Sequence, residues 1–228
     1  MSPYVLPLIA PFVLILSAGL SWWLSERHSR LVATIAEIAG VLALAVALAS
    51  SVMLVFLGPG ESALFGAAGI GLSTRLDAVS VTMLVLVAFV GWIVVRYSRI
   101  YLDGEPRQST FNGWLTAALA AVLVLVQAGN LSQLAVSWIA TSLCLHRLLL
   151  FYPGRIAAQR AARKKLFFTR IGAASLITAA VLLTLAFGTT DIAAINAAAR
   201  NGDAPLLAVS ATILVAIAAL LKSAQFPT

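Results

Sequence analysis

The chain has 228 residues, of which 61% are hydrophobic and only 10% charged, with a formal net charge of +7. A soluble domain carries roughly 25% charged residues, so this chain lacks the material for a water-facing surface and a soluble globular fold is excluded. Its one cysteine, Cys144, excludes an internal disulfide and any multi-cysteine metal site, and two distant histidines, His28 and His146, argue against a metal centre.

The apolar residues come in long runs rather than at amphipathic spacing. Runs of about 20 residues match a hydrocarbon core about 30 Å thick, and a backbone deprived of water must satisfy its polar groups internally, as a helix does. Strand-length alternation, the mark of a membrane barrel, is absent. The fold class is therefore all-α, a polytopic transmembrane bundle of about seven spans, predicted at 3–24, 31–57, 76–97, 112–129, 130–152, 165–187 and 204–221.

The first span has no basic leader, and Trp22 and Trp23 stand where a cleaved signal needs small residues. They suit a membrane interface. Glu37 lies near the start of the second span and reads as an interfacial residue. Residues 58–74 form a glycine-rich external loop without the Gly-Lys-Ser/Thr ending of a phosphate loop. Asp77 sits at a helix start, where the helix dipole favours an acid, and reads as a cap. Gly129, Asn130 and Ser132 make a tight hairpin between the fourth and fifth spans. The chain divides into N-terminal helices with the external loop, 1–73, and the rest of the bundle, 74–228.

The positive charges have a topological meaning. The odd-numbered loops and their flanks hold Arg27 and Arg30, then Arg96, Arg99 and Arg107, then Arg147, Arg155, Arg160, Arg163, Lys164 and Lys165. The even loops hold only Arg75 and Arg200. The positive-inside rule puts the odd loops in the cytoplasm and the N-terminus outside. The basic run from Arg155 to Lys165 is accordingly a topology anchor touching lipid headgroups, and no nucleic-acid partner is expected.

Charge at membrane depth is costly and usually faces protein or a water-filled path. Lys222 ends the last apolar run, and Gln225 and Pro227 close behind it predict a helix that breaks inside the membrane, as happens beside cavities. Arg170, one turn into the sixth span and unable to deprotonate, reads as a structural residue that pairs or snorkels. His146, in the fifth span, is either an interhelical hydrogen-bonding group or a proton-handling one.

The stretches RLDAVSVTMLVLV, YSRIYLDGEPRQSTFNGWL, NLSQLAVSWIATSLCLHRLLLFY, RKKLFFTRIGAASL, LAFGTTDIAAI and LLKSAQFPT fall in order over residues 74–228. Together they resemble the large antiporter-like subunits of respiratory complex I and the Mrp antiporters. The resemblance implies ion translocation with no organic cofactor in this subunit. It also implies a key lysine in a broken seventh helix, followed by Ser, Ala, Gln, a hydrophobic residue and Pro. Here these are Lys222, Ser223, Ala224, Gln225, Phe226 and Pro227, which marks Lys222, Ser223 and Gln225 as ion-handling residues and Pro227 as the break. The family pattern places a glutamate after the fifth-helix tryptophan, to pair with that lysine. Here Trp138 is followed by Ile139, and Ala173 replaces the acid often found after Arg-hydrophobic-Gly in the sixth helix.

With that carboxylate gone, the fifth helix reads SLCLHRLLLFYPGR and is similar to DabB, the membrane subunit family of DAB inorganic-carbon accumulation systems. His146 lies seven residues after Ile139, about two turns along one face, and is the candidate to replace the lost acid. The resemblance implies residence in a bacterial inner membrane and a hetero-oligomeric complex with a DabA-like zinc subunit similar to β-carbonic anhydrases. In that complex cation flow, of protons by expectation, drives hydration of CO2 to bicarbonate, and the zinc belongs to the partner. Relatives continue with further helices, so 74–228 is expected to be the first part of a longer conduction path. Two other readings compete: a pumping subunit of a redox or Mrp-type complex, and a membrane scaffold that transports nothing.

Overall fold

The computed structural model describes residues 3–24, 28–67, 69–152, 154–202 and 205–223. A 3-10 turn at Pro3–Leu8 leads into α1 (Ile9–Trp23), followed by α2 (Ser29–Leu57), then four short strands, β1 (Gly60–Glu61), β2 (Phe65–Ala67), β3 (Ile70–Leu72) and β4 (Arg75–Leu76). Next come α3 (Ala78–Tyr101), α4 (Gln108–Val126), α5 (Leu131–Leu149), α6 (Ile156–Phe187), α7 (Ile192–Arg200) and α8 (Leu206–Lys222). The predicted all-α membrane bundle is found. Helices α1 to α6 and α8 correspond to the seven expected spans, and the segments containing α1, α2, α3, α4 and α6 are long and apolar enough to cross a bilayer by length and composition alone.

Three local features differ from the sequence reading. First, α6 starts at Ile156 rather than near 165, so the basic run is its first turns rather than a loop. Nothing in RIAAQRAARKK breaks a helix, and Ala, Arg, Lys and Gln all favour one. Second, α7 is an amphipathic helix not anticipated between the last two spans; Asp191 caps it by accepting from the amides of Ala193 and Ala194. Third, the loop 58–74 carries two antiparallel ladders, β1 with β4 and β2 with β3. Gly66 and Gly71 face each other across the second, where a Cβ on Gly66 would come within 2.0 Å of the Ile70 carbonyl oxygen.

The core lies among α1 to α4 and is built from small residues. Ala39, Ala43 and Ala47 of α2 meet Ala10 and Leu14 of α1, Leu84 and Ala88 of α3, and Leu119, Ala120 and Leu123 of α4. In lipid, burial of apolar surface does not drive helices together, so close backbone approach and dispersion must. At Gly40 an added Cβ would already stand 3.5 Å from the Trp92 Cα. At Gly113 it would fall 2.4 Å from the indole nitrogen of Trp22, which lies over that bare backbone and against Trp114 at 5.0 Å between ring centroids.

Helix ends are capped as their residues suggest. Asp77 accepts from the Ser80 amide at 2.7 Å while the Ser80 hydroxyl accepts from the Asp77 amide at 2.8 Å, a capping box that starts α3. Arg75 adds an ion pair to Asp77 at 2.6 Å. Glu37 lies in the first third of α2. It lies two turns inside and pairs with Arg99 of α3 at 2.6 Å, which is how a carboxylate is accommodated there.

Asn130, 3% exposed, ties the hairpin end together. Its Oδ1 accepts from the Gln133 amide at 2.8 Å and from the Ser132 hydroxyl at 2.6 Å, while its Nδ2 donates to the Ser73 hydroxyl at 2.9 Å and the Gly71 carbonyl at 3.1 Å. One side chain thus caps α5 and anchors the strand loop. Nearby, the Thr74 hydroxyl donates to the Tyr4 carbonyl. Replacing Asn130 with Ala should cost about 1–3 kcal/mol, because several buried groups lose their partner at once. The exposed Thr82, which bonds only its own helix at the Ala78 carbonyl, should tolerate Ala within about 0.5 kcal/mol. Reversible denaturation in mixed micelles measures both.

In the strand loop, burial, then the charge of Asp191, push the Glu61 carboxyl above its ordinary range, with Arg75 opposing. The folded state therefore holds this proton more tightly than the unfolded chain. The contribution favours folding in acid and is lost as pH rises from about 4.5 through the raised value. Thermal unfolding followed between acid and neutral pH should show a smaller loss of stability with rising pH in Glu61→Gln than in the parent.

Candidate ion-handling site

The site forms where the end of α8 meets the middle of α5. Small residues allow the approach: at Gly172 of α6 an added Cβ would stand 3.6 Å from Leu221 Cβ, so α6 backs α8 closely. Lys222, the last residue of α8, reaches across to α5. Its Nζ donates to the Ser142 hydroxyl at 2.9 Å and to the Thr141 hydroxyl at 3.0 Å, with the Trp138 carbonyl at 3.5 Å. The same ammonium sits 4.5 Å from the centroid of the Trp138 ring, within range of a cation–π attraction.

Trp138, Thr141 and Ser142 stand at positions i, i+3 and i+4, which share a helix face. The Thr141 and Ser142 hydroxyls each donate to the Trp138 carbonyl, at 2.8 and 3.0 Å. Their lone pairs are therefore free to accept from the ammonium. The cradle is neutral: hydroxyls, a carbonyl and an aromatic face, with Ile139 where a carboxylate would stand. Trp138 is seven residues and Ser142 eleven residues past the start of α5, about 10 and 16 Å along its axis. The amine, on an exposed residue at the end of α8, thus lies beside the middle of α5.

The other expected residues fall as follows. His146 continues the Trp138–Ser142 face by one more turn; among the described residues its buried Nδ1 has no hydrogen-bond partner, and no hydrogen bond links it to Lys222. The Ser223 hydroxyl bonds within its own helix, donating to the Leu220 carbonyl at 3.1 Å. Arg170 is exposed on α6 and has no ion pair among the described residues. Gln225 and Pro227 lie outside the described residues. Among those described there is no cluster of three metal-ligating side chains. Thr141 and Ser142 were not singled out from the sequence, and Trp138 only as the marker of the missing glutamate. A hydroxyl pair three and four residues after a tryptophan in an apolar span was the available signal.

The chain is similar in sequence and fold to known proteins. Residues 65–112 match the model for the N-terminus of chain 5 of NADH-ubiquinone oxidoreductase (complex I), and residues 128–228 match the model for the NADH:quinone oxidoreductase/Mrp antiporter transmembrane region. The protein named "Probable inorganic carbon transporter subunit DabB2" of Halothiobacillus neapolitanus is 38% identical over 164 residues, 70% of this chain and 30% of that protein. NADH-quinone oxidoreductase subunit L of Escherichia coli is 32% identical over 160 residues, 69% of this chain and 26% of that protein. A chain in the structure of the Mrp complex from Dietzia sp. DQ12-45-1b superposes with a TM-score of 0.80 at 27% identity, covering 96% of this chain and 24% of that one. The chain thus spans under a third of the length of these relatives.

If the hydroxyls hold the ammonium, Lys222→Met and Ser142→Ala should be energetically coupled. A double-mutant cycle by mixed-micelle denaturation should return about 1 kcal/mol of interaction. Pairing Lys222→Met with Thr82→Ala, on the far α3, should return none.

Proposed function

Because the chain belongs to the antiporter-like membrane subunits of the complex I and Mrp type, we propose that it carries cations, protons foremost, through the membrane at Lys222 to drive inorganic-carbon accumulation. The observation that carries this reading is the neutral cradle: an ammonium held beside the middle of α5 by Thr141, Ser142 and Trp138, with Ile139 in place of an acid. A fixed carboxylate would hold the proton on the amine. Hydroxyls can bond either protonation state, so the amine is free to exchange its proton. The 38% identity to a DabB2 subunit supports inorganic carbon as the coupled process.

In this reading a proton reaches Lys222 through polar groups on α5. His146, one turn beyond Ser142 on the same face with an unpartnered buried nitrogen, takes the role of the missing carboxylate. The sequence motif makes Ser223 and Gln225 the further ion-handling residues of this reading and Pro227 its expected helix break, while the exposed Arg170 snorkels from α6. The arginine-rich face is cytoplasmic by the positive-inside rule, in a bacterial inner membrane. A DabA-like zinc subunit docks to this protein and hydrates CO2 to bicarbonate, and zinc chemistry belongs wholly to that partner.

A pumping subunit of a redox or Mrp-type complex is the second reading, favoured by the 32% identity to a complex I subunit. Purification of the full-length protein from its own cells, with identification and metal analysis of what accompanies it, separates the two. A zinc protein supports carbon accumulation, whereas redox or antiporter subunits support the second reading. Lys222→Ala should lower radiolabelled bicarbonate uptake roughly a hundredfold, the order contributed by a positioned proton-transfer group, and His146→Leu should lower it less. Unchanged uptake in Lys222→Ala would leave only a scaffold role.

A further inference from the structure

On the side of α5 turned away from Lys222, a cavity of about 590 Å³ opens between α1, α4 and α5. Its α5 wall is one stripe, Gln133, Ser137, Ala140 and Cys144, at spacings of four, three and four, which a single helix face carries. Ala140 is two residues past Trp138, about 200° of helix rotation from the face that holds Lys222. On α4 the wall is made by the small side chains of Ala117, Ala120 and Ala121. Gly19 of α1 leaves the space open, for a Cβ added there would meet nothing within 4 Å. The polar side chains in the wall are bonded elsewhere. The Ser137 hydroxyl donates to the Gln133 carbonyl at 2.7 Å, and the Gln133 Oε1 accepts from the Ser73 amide at 2.8 Å. The groove therefore presents hydrocarbon.

The two ends of the groove differ. Ile70 and Leu72 of β3 close the end away from the arginine-rich face. At the other end Trp22 forms the rim, its ring centroid 5.0 Å from that of Trp114, and the Arg147 guanidinium lies 5.7 Å from the Trp114 centroid. Arg147 follows Cys144 by three residues, so it extends the same stripe by one turn. It is exposed and has no ion pair among the described residues. Tryptophans of membrane helices gather at headgroup depth, so this cation stands at the level of lipid phosphates. From Gln133 to Cys144 is about 16 Å of helix, close to the hydrocarbon depth of one leaflet, about 15 Å. A helix about 10 Å across would need on the order of 1,250 Å³ over that length, about twice the space present. A single lipid tail is much thinner.

We propose that this groove binds one anionic phospholipid, its phosphate on Arg147 and one acyl tail laid between α1, α4 and α5 toward β3. A guanidinium can give a phosphate two parallel N–H bonds, and the small residues of the wall let the tail approach the backbones closely. A headgroup without a cation of its own leaves the charge of Arg147 uncontested, so phosphatidylglycerol is favoured over phosphatidylcholine. The site faces away from Thr141 and Ser142, so it stands whatever the role of Lys222.

The test is photo-crosslinking in the full-length protein, purified with its native complex and reconstituted into phosphatidylcholine vesicles. The vesicles carry a trace of phosphatidylglycerol or of phosphatidylcholine with a diazirine on the acyl tail, and mass spectrometry locates the adducts. Adducts on α1 around Gly19 and on α5 between Ala140 and Cys144 should form about fivefold more with the phosphatidylglycerol probe, the worth of one arginine near an anionic membrane surface. Arg147→Gln should abolish that preference, Arg147→Lys should keep most of it, and Gly19→Leu, which fills the groove, should remove the α5 adducts of both probes. Co-purification of each variant with the complex verifies assembly. Equal labelling by the two probes, or a preference that survives in Arg147→Gln, would overturn the proposal by leaving unspecific boundary lipid only. An unlabelled groove on a protein labelled elsewhere would overturn it as well, because a protein helix would then fill that space.

Discussion

Hydrocarbon offers no hydrogen bonds, and that single deprivation organises this molecule. Each polar group carried into the bundle must find its partner on another helix, on its own backbone or in trapped water. Asn130 meets the demand by serving two donors and three acceptors at once, and in doing so joins α5 to the strand loop. Glu37 meets it with Arg99. Most of the serines and threonines meet it by bonding a carbonyl three or four residues back, as Ser21, Ser50, Thr116 and Thr184 do. Lys222 has three donors to place, and it places them on α5, at the Ser142 and Thr141 hydroxyls and the Trp138 carbonyl. Where it reaches defines the site.

That reach depends on backbones lying close together. Gly172 has no side chain to hold α6 away from Leu221, so α8 arrives at α5 backed by a long helix. Gly40 and Gly113 do the same for α2 with α3 and for α1 with α4. Small residues serve here as spacers of minimal thickness, and the polar chemistry occurs between backbones they have drawn together. Membrane helices gain from this geometry because dispersion between closely approached backbones replaces the missing hydrophobic drive.

The spans were legible because hydrophobic run length is a direct consequence of bilayer thickness, and the hairpin at Asn130 and the cap at Asp77 because turn and cap chemistry is local. The start of α6 was not, because run length measures lipid contact and its first turns are charged although good helix formers. The amphipathic α7 escaped the same criterion by being too short and too polar to span. Lys222 was legible from its chemical oddity in an apolar run. Its cradle was not: Thr141 and Ser142 are ordinary in a membrane helix, and only the meeting of α5 with α8 gives them a role. The Glu37 ion pair was not legible for a related reason, since its partner Arg99 is 62 residues away in sequence.

The two hydroxyls beside Lys222 have one further property. Each proton now points at the Trp138 carbonyl, and each can swing about a single bond. When the amine sheds a proton it gains a lone pair, and either hydroxyl can rotate to donate to it while the other keeps its hold on that carbonyl. The cradle is therefore chemically able to accept from an ammonium or donate to a neutral amine. Changing the charge state of this centre needs no shift of helix or backbone, only the turn of one O–H bond.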